Sequence, residues 1–303
     1  MSYPELQKLI DTLRARPKLT AVSERRAAID AFAKAFPPAA DVTIEKITLG
    51  GVKAEKSRTP GDDSGAAVLY VHGGGYVIGS LDSHRHLVTE IGRAAAAPVY
   101  ALDYRLAPEV PFPAPVDDTV AAYKQLLAEG IAPGKITIAG DSAGGGLVVA
   151  ALVAIRDAGL PQPALGWTIS PWIDMEALGA SMTFNAASDP TVQKETILEM
   201  ASLYLNGTDP KNPLAAPLYA DLKGIAPLLI QVGSIETLLD DSIRLAGRAA
   251  AAGVPTRLDI WPEMPHIWHI FHPILTAARQ AIVQGGAFVK AAMANGAPFT
   301  YRV

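Results

Sequence analysis

The segment Gly140-Asp141-Ser142-Ala143-Gly144-Gly145-Gly146 carries a serine with glycine two positions before and two after it. It lies directly after an apolar run over 135–139 and directly before a helical pattern that starts at Leu147. A sharp strand-to-helix turn needs this spacing, because side chains at the flanking positions would collide with the crowded backbone around the central residue. Such a turn lifts the serine hydroxyl above the sheet, and the helix N-terminus behind it favours developing negative charge. The chemistry this suits is nucleophilic attack. A glycine-rich turn that binds phosphate, or only packs closely, is the competing use of the same residues.

Upstream, His72-Gly73-Gly74-Gly75-Tyr76 follows the apolar run 66–71. Consecutive glycines let backbone N–H groups point into a cavity unobstructed, which an oxyanion hole requires. Neither a G-x-x-x-x-G-K-[ST] loop nor a completed G-x-G-x-x-G fingerprint is present, so nucleotide binding is the weaker reading. A serine nucleophile also needs a base and an acid, in the chain order Ser, acid, His when the turn is of this kind. Glu236, Asp240 and Asp241 follow the run 227–232, and His266 follows the run 256–261. Of six histidines His266 is the candidate base, while His84, His86, His269 and His272 fall in or beside helical patterns, where an ordinary surface or packing role is expected. Asp240 and Asp241 also suit the start of a helix. The series His266, His269, His272 does not match the i, i+4 pair of a helical zinc site, so no metal is expected.

The elements that must position these groups are legible in the periodicity. Residues 3–36 read as two helices ended by Pro37-Pro38, and 42–58 alternates as a hairpin through Gly50-Gly51. From residue 66, short apolar runs (66–71, 98–103, 135–139, 164–169, 227–232, 256–261) alternate with helical stretches (84–96, 116–129, 145–158, 241–252, 274–293). That order implies a mostly parallel sheet with right-handed crossovers. The connection 171–226 is too long for a plain loop and holds an amphipathic segment around Ile197, Met200, Leu203 and Tyr204. At the carboxyl ends of parallel strands it would overhang the ligand site.

Composition narrows the class. The 303 residues include 26 basic and 30 acidic side chains, for a net charge of −4, which speaks against nucleic acid as a partner. There is no cysteine, which excludes thiol catalysis, disulfides and cysteine-ligated metals. Charges at Glu5, Lys8, Asp11 and Arg14 leave no apolar leader, and no apolar stretch is long enough to span a bilayer, so a soluble cytoplasmic protein without membrane partners is expected.

Taken together, His72–Gly75, Asp103-Tyr104-Arg105-Leu106-Ala107-Pro108-Glu109, Gly140–Gly145, Ser170-Pro171-Trp172, Asp189-Pro190 and His266 resemble the hormone-sensitive-lipase-like carboxylesterases, the bacterial group IV of the α/β-hydrolase fold. The resemblance covers nearly the whole chain. It implies an α/β-hydrolase fold with a mostly parallel eight-stranded sheet flanked by helices. N-terminal cap helices over 1–40 and a catalytic domain over 41–303 follow from it, with the cap insertion at about 171–226. It also implies a serine esterase for short acyl groups that needs no cofactor, with Ser142 as nucleophile, His266 as base and the amides of Gly74, Gly75 and Ala143 as oxyanion donors. The acid departs from the family pattern: Glu236-Thr237-Leu238 stands where Asp-Pro-Leu is usual, and Glu236 is assigned because glutamate accepts the same imidazole hydrogen bond. Tyr76, Trp172, Phe184, Leu205 and Trp268 are expected to offer apolar substrate-binding surface. The expected partner is a small ester or lactone, with a homodimer left open. A lactone hydrolase with the same triad is the alternative, as is a non-catalytic ligand-binding relative, although such relatives lack the catalytic histidine.

Overall fold

In the computed structural model, which describes residues 4–62 and 65–295, the expected eight-stranded sheet is present with the order β1-β2-β4-β3-β5-β6-β7-β8. Residue 3, where the first helical pattern begins, and the outer ends of both expected domains lie outside the described residues. Helix α1 (Pro4–Arg14) buries Leu6, Leu9 and Leu13 on one stripe, and α2 (Val22–Ala33) follows with Ile29 and Phe32 half-buried. Strands β1 (Thr43–Leu49) and β2 (Val52–Arg58) form the hairpin, and β2 continues antiparallel onto β4 (Val99–Leu102). All remaining pairings are parallel, through β3 (Ala67–Val71), β5 (Ile136–Asp141), β6 (Leu165–Ile169), β7 (Leu228–Gly233) and β8 (Thr256–Trp261).

The parallel strands β3 to β7 are buried on both faces, as their unbroken apolar runs require. On one side lie α3 (Leu81–Ala95) and α9 (Thr276–Asn295), packed with Leu87, Ile91, Trp167 and Phe271. On the other lie α4 (Ala114–Ala128), α5 (Ala143–Asp157) and α8 (Leu239–Ala251), with Tyr123, Leu147, Leu152 and Leu245. Between β6 and β7 the long connection forms α6 (Ser181–Phe184) and α7 (Lys194–Leu205), the latter on the expected amphipathic segment. No helix among the described residues is long and apolar enough to cross a membrane.

Candidate active site

Ser142 stands between β5 and α5 at φ 53° and ψ −120°, a conformation that costs energy for any residue with a side chain and persists only where its surroundings impose it. They do so here. Its amide donates to the Ile169 carbonyl at 2.8 Å, and its own carbonyl accepts from the amides of Gly146 at 3.1 Å and Trp172 at 2.9 Å. The flanking glycines are sterically required: a Cβ on Gly140 would lie 2.5 Å from the Val71 carbonyl, and one on Gly144 would lie 2.7 Å from that of His72.

His266 and Glu236 reach the same point from the loops after β8 and β7. His266 Nε2 is 3.0 Å from Ser142 Oγ, and His266 Nδ1 is 2.8 Å from Glu236 Oε2. Because the carboxylate only accepts, Nδ1 carries the proton and Nε2 offers its lone pair to the serine hydroxyl. The other carboxylate oxygen, Oε1, accepts from the Ser170 hydroxyl at 2.7 Å and from the Gly233 amide. All three side chains are buried. Burial alone would lower the basicity of His266, but the hydrogen bond and charge of Glu236 outweigh it, with a further contribution from Asp189, and raise its pKa above the ordinary 6.5.

Asp240 and Asp241 are engaged elsewhere, in the first turn of α8. Asp240 accepts from the Ser181 amide at 3.0 Å. Asp241 accepts from the amides of Ile173 and Asp174 and pairs with Arg244, and burial pushes its carboxyl up to about 7 against the pull of that guanidinium.

The glycine loop after β3 turns through left-handed backbone at Gly74 (φ 115°) and Gly75 (φ 63°), beside the start of α5. Among the described residues the amides of Gly74 and Gly75 have no acceptor, and that of Ala143 opens a helix and so has none within it. Asp141 braces this loop from beneath. Its Oδ1 accepts from the Gly73 amide at 3.0 Å and the Tyr70 hydroxyl at 2.7 Å, while Oδ2 faces His84 Nε2 at 3.3 Å. Burial would raise the Asp141 carboxyl, yet His84 and Tyr70 hold it at about 2.

His84 is a residue whose place at the site sequence reasoning does not reveal. It packs within α3, 2% exposed, and in addition lines the cavity beside Ser142. Two others of the set behave as expected: His269 bonds Gln231 at 3.0 Å, and His272 stacks on His86. No group of three His, Cys, Asp or Glu among the described residues is arranged to hold a metal ion.

The cavity at Ser142 measures about 170 Å³. Its apolar wall comes from Ile29 of α2, Ile197 and Met200 of α7, Val192, Ile78 and Ile267. The five residues expected to bind substrate do not line this cavity. Tyr76, Trp172 and Trp268 are wholly buried core, Tyr76 stacking on Tyr204 at 3.8 Å. Leu205 is also packed in the core, and Phe184 is exposed on the surface. A larger groove of about 970 Å³, bordered by Arg26, Lys53, Asp103 and Arg105, contains none of the three groups at Ser142. Its guanidinium groups are paired with Glu109 and Asp118.

A family model described as alpha/beta hydrolase fold matches residues 68–270. An acetyl-hydrolase of Streptomyces hygroscopicus is 47% identical over 299 residues, covering 98% of this chain and 99% of that one. An esterase of Acinetobacter venetianus is 32% identical over 279 residues, 91% of this chain and 92% of its own. The crystal structure of an esterase from the bacterial hormone-sensitive lipase family superimposes with a TM-score of 0.94 at 51% identity, covering 97% of this chain and 99% of that one.

Proposed function

The chain belongs to the hormone-sensitive-lipase-like carboxylic ester hydrolases of the α/β-hydrolase fold, and from that premise we propose that it cleaves short-acyl esters through Ser142, His266 and Glu236. The observation that carries this reading is the continuous hydrogen-bonded series from Ser142 Oγ through His266 to Glu236. As Ser142 Oγ attacks the ester carbonyl, His266 Nε2 takes its proton, and Glu236 holds the ring and stabilises the cation. The carbonyl oxygen becomes an oxyanion, for which the amides of Gly74, Gly75 and Ala143 are the donors. Collapse of this intermediate expels the alcohol, which takes the proton from His266. Water, deprotonated in turn by His266, then releases the acid and restores the serine.

In this reading α1, α2 and residues 171–226 form a cap, because Ile29 and the α7 side chains wall the cavity from outside the sheet. A volume of about 170 Å³ is below the ~300–1,000 Å³ typical of pockets for drug-sized ligands, which favours acetyl and butyryl groups. Rates on p-nitrophenyl acetate, butyrate and palmitate, with a simple lactone alongside, test this. Acetate and butyrate should be turned over fastest; faster palmitate cleavage would contradict it, and a dominant lactone rate would favour the lactonase alternative.

The base must be neutral to act, and its folded pKa is raised. kcat/KM should therefore rise with pH through a midpoint above 6.5, and fall as acidification protonates Nε2. A midpoint at or below that value would mean that Glu236 does not stabilise the imidazolium.

A further inference from the structure

The loop between α6 and α7 carries Asp189, 3% exposed, with a carboxylate that accepts from five donors. Oδ2 takes the amide and hydroxyl of Thr237, at 2.9 and 3.2 Å. Oδ1 takes the amide and hydroxyl of Thr191, at 2.9 and 2.8 Å, and the amide of Val192 at 3.0 Å. Thr237 is the residue after Glu236, whereas Thr191 and Val192 line the cavity at Ser142. One side chain therefore ties the acid loop to the substrate wall. Asn185 adds to the same grip, its amide donating to the carbonyls of Ser234 at 3.1 Å and Glu236 at 2.8 Å.

We propose that Asp189 is a positioning residue that sets the Glu236 loop from the inserted segment and couples it to the wall of the cavity. This rests on the esterase reading above. Among the described residues no lysine or arginine forms an ion pair with Asp189, so its charge is met by amide and hydroxyl donors. A buried charge without an ion-pair partner costs desolvation even when hydrogen-bonded. A neutral side chain could cap the Thr191 turn at lower cost, so the charge itself calls for a role. His266 supplies one. The charged and titratable groups acting on His266 are Glu236 at Nδ1, Asp141 beneath the serine turn and Asp189 from the inserted segment, with His84 on the same cavity. Asp189 thereby favours the imidazolium that forms during attack, in addition to fixing the loop.

Three variants, Asp189→Asn, Thr237→Val and Ser142→Ala, test this on p-nitrophenyl butyrate, with thermal melts to verify folding. Asp189→Asn removes the charge and turns an N–H toward existing donors. It should lower kcat by about 10²-fold, the cost of a misplaced catalytic group, with a smaller change in KM. The acid limb of its pH profile should move to lower pH. Thr237→Val keeps the charge and one of the two bonds to Oδ2; it should lose about threefold to tenfold in kcat, the effect of one hydrogen bond that is long at 3.2 Å, with the limb unmoved. A folded Asp189→Asn protein with normal kcat, or with an unmoved limb, would overturn the proposal. Should that variant not fold, normal kcat in Thr237→Val would overturn it. Inactive Ser142→Ala in the same series would leave the esterase reading standing, and active Ser142→Ala would remove that reading instead.

Discussion

Ser142→Ala is expected to lower kcat on a p-nitrophenyl ester by roughly 10⁶-fold, His266→Ala by a similar factor, and the double mutant no further. The reason is in the geometry. The hydroxyl is a poor nucleophile until Nε2, 3.0 Å away, takes its proton, and the imidazole has no other function in the first step. Removing either leaves the other without a task, so the two losses overlap. The residual rate, about 10³–10⁴ above that in water, would come from binding and from the oxyanion donors that both variants retain. Alanine at 142 keeps a Cβ in the strained conformation that serine already occupies, so the fold should persist. The kinetics of both single variants and the double, after confirmation of folding by circular dichroism, give the result. Losses that multiply would mean that the two residues act independently and that the hydrogen bond between them is incidental.

The parts of this site that were legible in the sequence are those whose constraint is local. The serine turn writes itself as two glycines at fixed offsets because Val71, His72 and Gly144 backbone atoms crowd its flanks. The strands from β3 to β7 are legible because burial on both faces demands unbroken apolar runs. The partners of His84 and Asp189 left no such mark, although Asp189-Pro190 is itself part of the family pattern. These partners, Asp141 and Thr237, are 57 and 48 residues away, so the roles of His84 and Asp189 come from the folding of separate elements onto one another. The aromatic residues lie away from the cavity, and the sequence hides this for a different reason. Tyr76, Trp172 and Trp268 fit a core as well as a pocket, and chain order cannot tell which side of the sheet's edge they occupy. The apolar lining of this cavity comes largely from aliphatic side chains, those on α2 and α7 among them, which a sequence presents as ordinary amphipathic helix faces.

Glu236→Gln is expected to cost about 10⁴ in kcat, the factor lost when a triad carboxylate becomes an amide. Glutamine can keep its carbonyl oxygen where Oε1 accepts from Ser170 and Gly233, so the loop should hold its shape. Its NH₂ then faces His266 Nδ1, where an acceptor stood. The ring must answer with the tautomer that carries its proton on Nε2, which points a donor at Ser142 and removes the base. Glu236→Asp should be partly active: aspartate is the family's usual residue, but here one methylene less must serve both the imidazole and the Ser170 and Gly233 donors. Asp240→Asn should change kcat little, since Asp240 serves the Ser181 amide. Asp241→Asn should lower the melting temperature while the folded fraction keeps its kcat, because Asp241 ties Ile173, Asp174 and Arg244 together. Measuring kcat and thermal stability for the four variants separates these roles. A dead Asp240→Asn protein beside a normal Glu236→Gln one would move the acid from Glu236 to the first turn of α8. That would require the loop to run differently in solution, with the Glu236–His266 bond broken and Asp240 released from Ser181.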